Sequence, residues 1–148
     1  MSIKKKLNFK HIFLASDHAG FDLKESIKTF LKRKRKKISD LGPHNINSVD
    51  YPDYAHLLCK KIKNNKTIGI LVCGSGIGMD MTANKHKNIR AALCYSVKAT
   101  KLSRLHNNAN VMSIGSRLTN KNLALKCVNI FIKTNFAGGR HLRRTKKI

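Results

Sequence analysis

Two rhythms of apolar and polar positions alternate along this chain. Short unbroken apolar runs, His11–Ser16, Ile68–Val72, Ile89–Cys94 and Asn110–Ile114, read as strands buried on both faces. A shorter run, Lys37–Asp40, reads as a fifth strand. Between them the apolar residues fall at helical spacing. From Gly20 to Arg35, Phe21, Leu23, Ile27, Phe30 and Leu31 form one face. Asp53 is placed to cap a helix that runs to about Asn64. Further helices are predicted over Met79–Asn84, Val97 to about His106, and Thr119–Lys133. Gly42–Pro52 is turn-rich and reads as a loop, and the tail from Gly138 is polar and basic. Strands alternating with helices predict a single-domain, Rossmann-like three-layer α/β/α sandwich over residues 1–148, with a five-stranded, mainly parallel sheet. No linker or internal repeat divides the chain, and its 148 residues suffice for one core.

The segment Val72-Cys73-Gly74-Ser75-Gly76-Ile77-Gly78 carries the most chemical information. It sets a cysteine at the carboxyl end of a strand, against a glycine-rich turn that opens a helix. Ligands of open α/β sheets bind in that crevice. Backbone N–H groups of such a turn can face an anion, and the same field favours a thiolate over a thiol. The segment thus offers a base or nucleophile beside an oxyanion cradle; a tight turn holding an inert buried cysteine is the alternative. A dinucleotide fingerprint is excluded, because Met79 stands where its third glycine belongs, and no Gly-Lys-Ser/Thr follows for a phosphate loop.

Other predicted strands end in Ser16-Asp17-His18 and Gly115-Ser116-Arg117, and the helix before the fifth strand ends in His106-Asn107-Asn108-Ala109-Asn110. Each has a plainer reading. Asp17 can cap the first helix, His106 can be a helix C-terminal cation, and Arg117 a surface charge. Their convergence on one sheet edge is what favours an active site.

Lys and Arg number 31 against seven Asp and Glu, a net charge of +24. Such a balance suits a nucleic-acid partner. The strongest run, Lys32–Lys37, nevertheless ends a helix, where cations are favoured, and with few aromatics and no Trp a stacking platform is not evident. Neither a specific nucleic-acid partner nor a membrane is expected. Cys59, Cys73, Cys94 and Cys127 lie far apart with no C-x-x-C pair, so no zinc site or disulfide is expected. The basic N-terminal extension, residues 1–10, lacks the apolar core of a signal peptide, and a reducing cytoplasm is the expected location.

With these residues in view, the chain resembles the ribose-5-phosphate isomerase B family, which includes the galactose-6-phosphate isomerase subunits. The matching motifs are Ala15–Gly20, Asp50–Ala55, Cys73–Gly78, Ala83–Lys85, Ile89–Ala92, His106–Asn110, Gly115–Arg117 and Gly138–Arg144. Ser75 departs from the family's usual threonine and keeps the hydroxyl. The resemblance implies an aldose–ketose isomerase acting on ribose 5-phosphate and ribulose 5-phosphate through a cis-enediolate. It implies Cys73 as the base, His106 as the ring-opening acid, and Asp17 and Ser75 at the anomeric hydroxyl. Gly74, Gly76, Ile77 and Gly78 would supply N–H donors to the enediolate. Arg140 and Arg144 of the 138–148 tail, with Arg117 and His18, would hold the phosphate, and Tyr51 and Asn107 the sugar hydroxyls. No metal or organic cofactor is implied. A homodimer or homotetramer with shared sites is. A six-carbon substrate, allose or galactose 6-phosphate, is the nearest rival, and a basic nucleic-acid-binding protein or an inactive regulator on the same fold the remoter ones.

Overall fold

The computed structural model describes residues 9–148, so all but the last two residues of the basic N-terminal extension lie outside the described residues. The elements follow the order β1 (His11–Ser16), α1 (Phe21–Arg33), β2 (Ile38–Asp40), α2 (Tyr51–Cys59), β3 (Thr67–Cys73), α3 (Ile77–Ala83), β4 (Ala91–Leu93), α4 (Val97–Asn107), β5 (Val111–Gly115), α5 (Lys121–Lys133) and α6 (Arg140–Thr145). The five strands form one sheet in the order β2-β1-β3-β5-β4, and every pairing is parallel. This is the α/β architecture that the alternating pattern predicts.

β3 is the centre of the sheet and shows why its apolar run is unbroken. Ile68, Ile70 and Val72 point into a core shared with Leu23, Ile27 and Leu31 of α1 and Val128 and Phe131 of α5. Leu71 and Cys73 point the other way, into a core with Leu58 of α2 and Met79 of α3. Gly69 interrupts the run because the Leu58 side chain lies where its Cβ would be, at 2.3 Å.

Several boundaries differ from the sequence reading for identifiable reasons. α2 begins at Tyr51 with Asp50 at the N-cap position, so Asp53 is a first-turn acid rather than the cap. Pro52 lies in that first turn, where its missing N–H is no loss. The helix stops at Cys59, and the Ile62 N–H turns back onto the Cys59 carbonyl. β4 is shorter than Ile89–Cys94, because Ile89 bonds back to the His86 carbonyl and the Arg90 N–H goes to Asn110 Oδ1. The polar, basic tail contains a helix that the sequence reading did not place, Arg140–Thr145, or α6. Among the described residues no helix is long and apolar enough to cross a membrane.

Candidate active site

β2 flanks β1 on one side and β3 on the other, so the chain reverses direction across the carboxyl ends of β1 and β3. That switch point leaves a crevice in parallel sheets. Asp17 follows β1, and Cys73 ends β3, with the Asp17 N–H bonded to the Val72 carbonyl at 3.1 Å. Cys73 is only 4% exposed, and its Sγ accepts the Gly76 N–H at 3.1 Å. The thiol therefore sits at the head of the glycine turn. Ser75 Oγ accepts the Ile77 N–H at 3.2 Å, in the first turn of α3.

Close packing explains the glycines. Gly76 has φ +78°, and a Cβ there would lie 2.7 Å from Leu93 Cδ1 and 2.8 Å from the Ile114 carbonyl carbon. A Cβ on Gly74 would come within 2.9 Å of Arg117 Nη1, so the Arg117 guanidinium lies across the turn although the residue is exposed. A Cβ on Gly78 would meet the Tyr51 ring at 2.6 Å. The predicted base and two predicted binding residues thus meet at the turn: Cys73 at its head, Arg117 over one end, Tyr51 over the other.

Asp17 does not cap α1, whose N-cap residue is Gly20 with no side-chain bond; Asp17 instead braces the turn before the helix. Its Oδ1 accepts the Gly20 N–H at 2.9 Å, ahead of α1. Asp17 is 8% exposed, and its backbone is bonded to Val72, one residue before Cys73. His18 Nδ1 accepts the Val49 N–H at 3.2 Å, which leaves Nε2 to carry the proton of the neutral ring.

The remaining predicted residues do not join this cluster within one chain. α4 leaves the carboxyl end of β4 and runs back to the amino end of β5, so His106 and Asn107, in its last turn, lie at the opposite edge of the sheet. The seven residues of β3 separate the two edges by about 23 Å at roughly 3.3 Å per residue. The single-edge convergence inferred from the sequence therefore fails for the end of this helix. α6 docks beside it. The Ala137 N–H bonds to the Leu105 carbonyl at 3.0 Å, and the His106 and His141 rings stack at 4.2 Å and 11°. Desolvation and then the neighbouring His106, Arg140 and Arg144 hold His141 below the ordinary histidine value. Arg140 and Arg144, four apart on α6, share a face beside this stack. The carboxyl edge thus carries ten of the fourteen predicted residues, and the amino edge carries His106, Asn107, Arg140 and Arg144.

One structural device escaped the sequence reading. Lys24 is fully buried, and its Nζ bonds to Asp40 Oδ1 at 2.7 Å, Asp40 Oδ2 at 2.8 Å and the Pro43 carbonyl at 3.0 Å. Burial alone would raise Asp40, but Lys24, Lys28 and the Gly42 N–H overcome it and hold the carboxyl at about 2. The clamp fixes the start of the loop that ends at Val49 and Tyr51. Its signal was available: Lys24 falls on the apolar stripe of α1 among Leu23, Ile27 and Leu31. Among the described residues no group of three or more His, Cys, Asp or Glu side chains is arranged to hold a metal.

Comparison with known proteins places this geometry in context. A family profile described as ribose/galactose isomerase matches residues 12–148. A probable ribose-5-phosphate isomerase B of Mycoplasma genitalium is 48% identical over 141 residues, covering 93% of each chain. The ribose-5-phosphate isomerase B of Escherichia coli is 36% identical over 140 residues, 94% of each. The crystal structure of the Mycoplasma genitalium ribose-5-phosphate isomerase B with bound ribulose-5-phosphate superposes with a TM-score of 0.89 at 47% identity, over 93% of this chain and 92% of that one.

Proposed function

The chain belongs to the ribose/galactose isomerase family, and from that premise we propose that it interconverts ribose 5-phosphate and ribulose 5-phosphate. The observation that carries the reading is Cys73 Sγ, buried at the switch-point crevice and bonded to a turn N–H at 3.1 Å. Cys73 takes the proton from C2 of the open-chain sugar and returns it to C1. Backbone N–H groups of the Gly74–Gly78 turn stabilise the charge on the enediolate oxygen; removing one such donor typically costs roughly 10²–10³ in rate. Asp17 and Ser75 act at the anomeric hydroxyl, and His106 protonates the ring oxygen, a task suited to an imidazole near neutral pH. Arg140 and Arg144 hold the phosphate in bidentate fashion with Arg117 and His18. Tyr51 and Asn107 contact the sugar hydroxyls. No metal or organic cofactor takes part.

This chemistry needs both sheet edges in one site, so the working unit is a homodimer, itself open to pairing into a tetramer. The carboxyl edge of one protomer supplies Cys73, Asp17, His18, Ser75, Tyr51 and Arg117. The α4 end and α6 of its partner supply His106, Asn107, Arg140 and Arg144. Exposed apolar residues around the carboxyl edge support a covered surface: Met81 is 65% exposed, Tyr95 64% and Leu118 68%. The free thiols fit a reducing cytoplasm.

The test is ribose 5-phosphate turnover by the purified protein beside Cys73→Ala. The expected result is robust turnover that falls by orders of magnitude in the variant. Equal turnover by both removes Cys73 as the base. Turnover confined to six-carbon sugar phosphates keeps the base and changes the substrate.

A further inference from the structure

All seven acidic residues lie toward the carboxyl edge of the sheet: Asp17 after β1, Asp22 and Glu25 early in α1, Asp40 at the end of β2, Asp50 and Asp53 at the start of α2, and Asp80 early in α3. The amino edge therefore has no acid. A cavity of about 200 Å³ opens there, between the starts of β3 and β5 and the turns before β3 and β4. Drug-sized ligands occupy pockets of roughly 300–1,000 Å³. This cavity suits a single small anion with its waters. Lys63, Asn64, Asn88, Arg90, Arg104 and Asn108 line it, and no carboxylate does.

Two guanidinium groups meet at this cavity without a counter-ion. Arg104 is 2% exposed, and burial, then the charge of Arg90, push it down to about 10. Its Nε donates to the Thr134 carbonyl at 3.1 Å, and its Nη1 donates to Asn108 Oδ1 at 3.1 Å and to the Ala109 carbonyl. The Phe9 and Phe131 rings lie 5.1 and 5.5 Å from its Cζ. Arg90 Nε donates to the Asn107 and Asn108 carbonyls at 3.1 Å, and its Nη2 to the Asn108 carbonyl at 2.9 Å. Every partner is neutral. Among the described residues the ion pairs involve only Lys24, Lys28 and His44 as cations. A buried charge without an opposite charge is costly, and an oxyanion lowers that cost.

We propose that this cavity is a binding site for a small phosphate, either inorganic phosphate or the phosphate group of a monoester, held by Arg90, Arg104 and Lys63. The site is distinct from the Cys73 crevice, which lies at the other edge of the sheet. It is coupled to the α4 end, because Arg90 holds the Asn107 and Asn108 carbonyls next to His106. That coupling rests on the isomerase reading; the binding does not.

Calorimetric titration with inorganic phosphate tests the binding in a protein carrying Arg140→Ala and Arg144→Ala, both exposed, which removes the phosphate arginines of the proposed catalytic site. The expected result is one phosphate per chain, weakened about tenfold or more by adding Lys63→Glu or Asn64→Asp. Both added changes are on exposed residues, and an aspartate at 64 keeps the acceptor that Asn64 Oδ1 offers the Lys66 N–H. If the arginine variant does not fold, the same titration of the unaltered chain should show two phosphates, and the Lys63→Glu chain one. Absence of saturable binding, or binding indifferent to both changes, means an adventitious ion only and overturns the site. For the coupling, phosphate should change kcat of the unaltered enzyme and not of Lys63→Glu; a kcat independent of phosphate overturns it. Phosphate binding here by a chain that turns over no sugar phosphate would sink the isomerase reading and leave the site standing.

Discussion

Gly76→Ala is the substitution whose cost the turn geometry fixes most directly. Gly76 has φ +78° and is the N-cap of α3. A side chain in the left-handed region costs about 1–2 kcal/mol. The added Cβ would also lie 2.7 Å from Leu93 Cδ1, 2.8 Å from the Ile114 carbonyl carbon and 2.9 Å from the Gly115 nitrogen. Two of those three atoms are backbone of the central sheet and cannot rotate away. Overpacking of this kind costs typically about 1–3 kcal/mol, so the total is about 2–5 kcal/mol. A domain of this size has roughly 5–15 kcal/mol of stability, and its melting point should fall roughly 5–15 °C. Gly138→Ala is the internal control. Gly138 has φ +67° with nothing within 4 Å of its would-be Cβ, so only the backbone term, about 1–2 kcal/mol, applies. Urea unfolding followed by circular dichroism measures both. If Gly76→Ala loses no more stability than Gly138→Ala, the turn is not packed as described, and the argument that the sheet presses it against Cys73 fails with it.

Two further predictions concern carboxyl groups. Burial pushes Asp80 up to about 6, and its Oδ1 has no hydrogen-bond partner. The folded chain thus holds this proton longer than the unfolded one, and stability falls as pH rises from about 4 to 6. After allowance for solvent screening of a partly buried group, the loss is about 1–2 kcal/mol. Asp80→Asn should therefore be more stable than the parent at pH 8 and no better at pH 4; equal melting points at pH 8 would refute this. Asp40, held at about 2, has the opposite sign. Its contribution is present above the ordinary carboxyl value and is lost as pH falls toward 2. Asp40→Asn leaves the buried Lys24 with only the Glu25 carboxylate, at 3.3 Å, and should cost about 3 kcal/mol at pH 7. Melting within 2 °C of the parent would contradict the clamp, since a domain near this size shifts by about 2–4 °C per kcal/mol.

Much of this architecture was legible because parallel strands covered on both faces must be apolar throughout. The His11–Ser16 strand and the β3 run follow from that requirement, and the α5 stripe from the helical period of a face buried against the sheet. The Cys73 turn was legible for a related reason: three glycines in five positions mark a backbone pressed against something. Less visible was α6, whose residues are mostly cations and whose one large apolar side chain, Leu142, is 44% exposed. No apolar periodicity marks a helix held by a ring stack and a backbone bond to α4. The division of the predicted site was hidden for a topological reason. A crossover helix ends at the edge opposite the one where it began, so polar residues at a strand's end and at a helix's end are on different sides of the sheet. The Lys24 clamp was overlooked because a lysine on an apolar stripe is readily taken for a snorkelling side chain.

The central claim is that two half-sites, one from each protomer, make one isomerase. Mixing two inactive variants under conditions of subunit exchange tests it most directly. One variant carries Cys73→Ala, the other His106→Ala with Arg140→Ala. If the halves meet across a symmetric dimer, each mixed dimer contains one site with all of its groups intact. Random pairing then restores about a quarter of the parental ribose 5-phosphate turnover. If each chain builds its own site, every site in the mixture lacks a group, and turnover stays at the level of the separate variants.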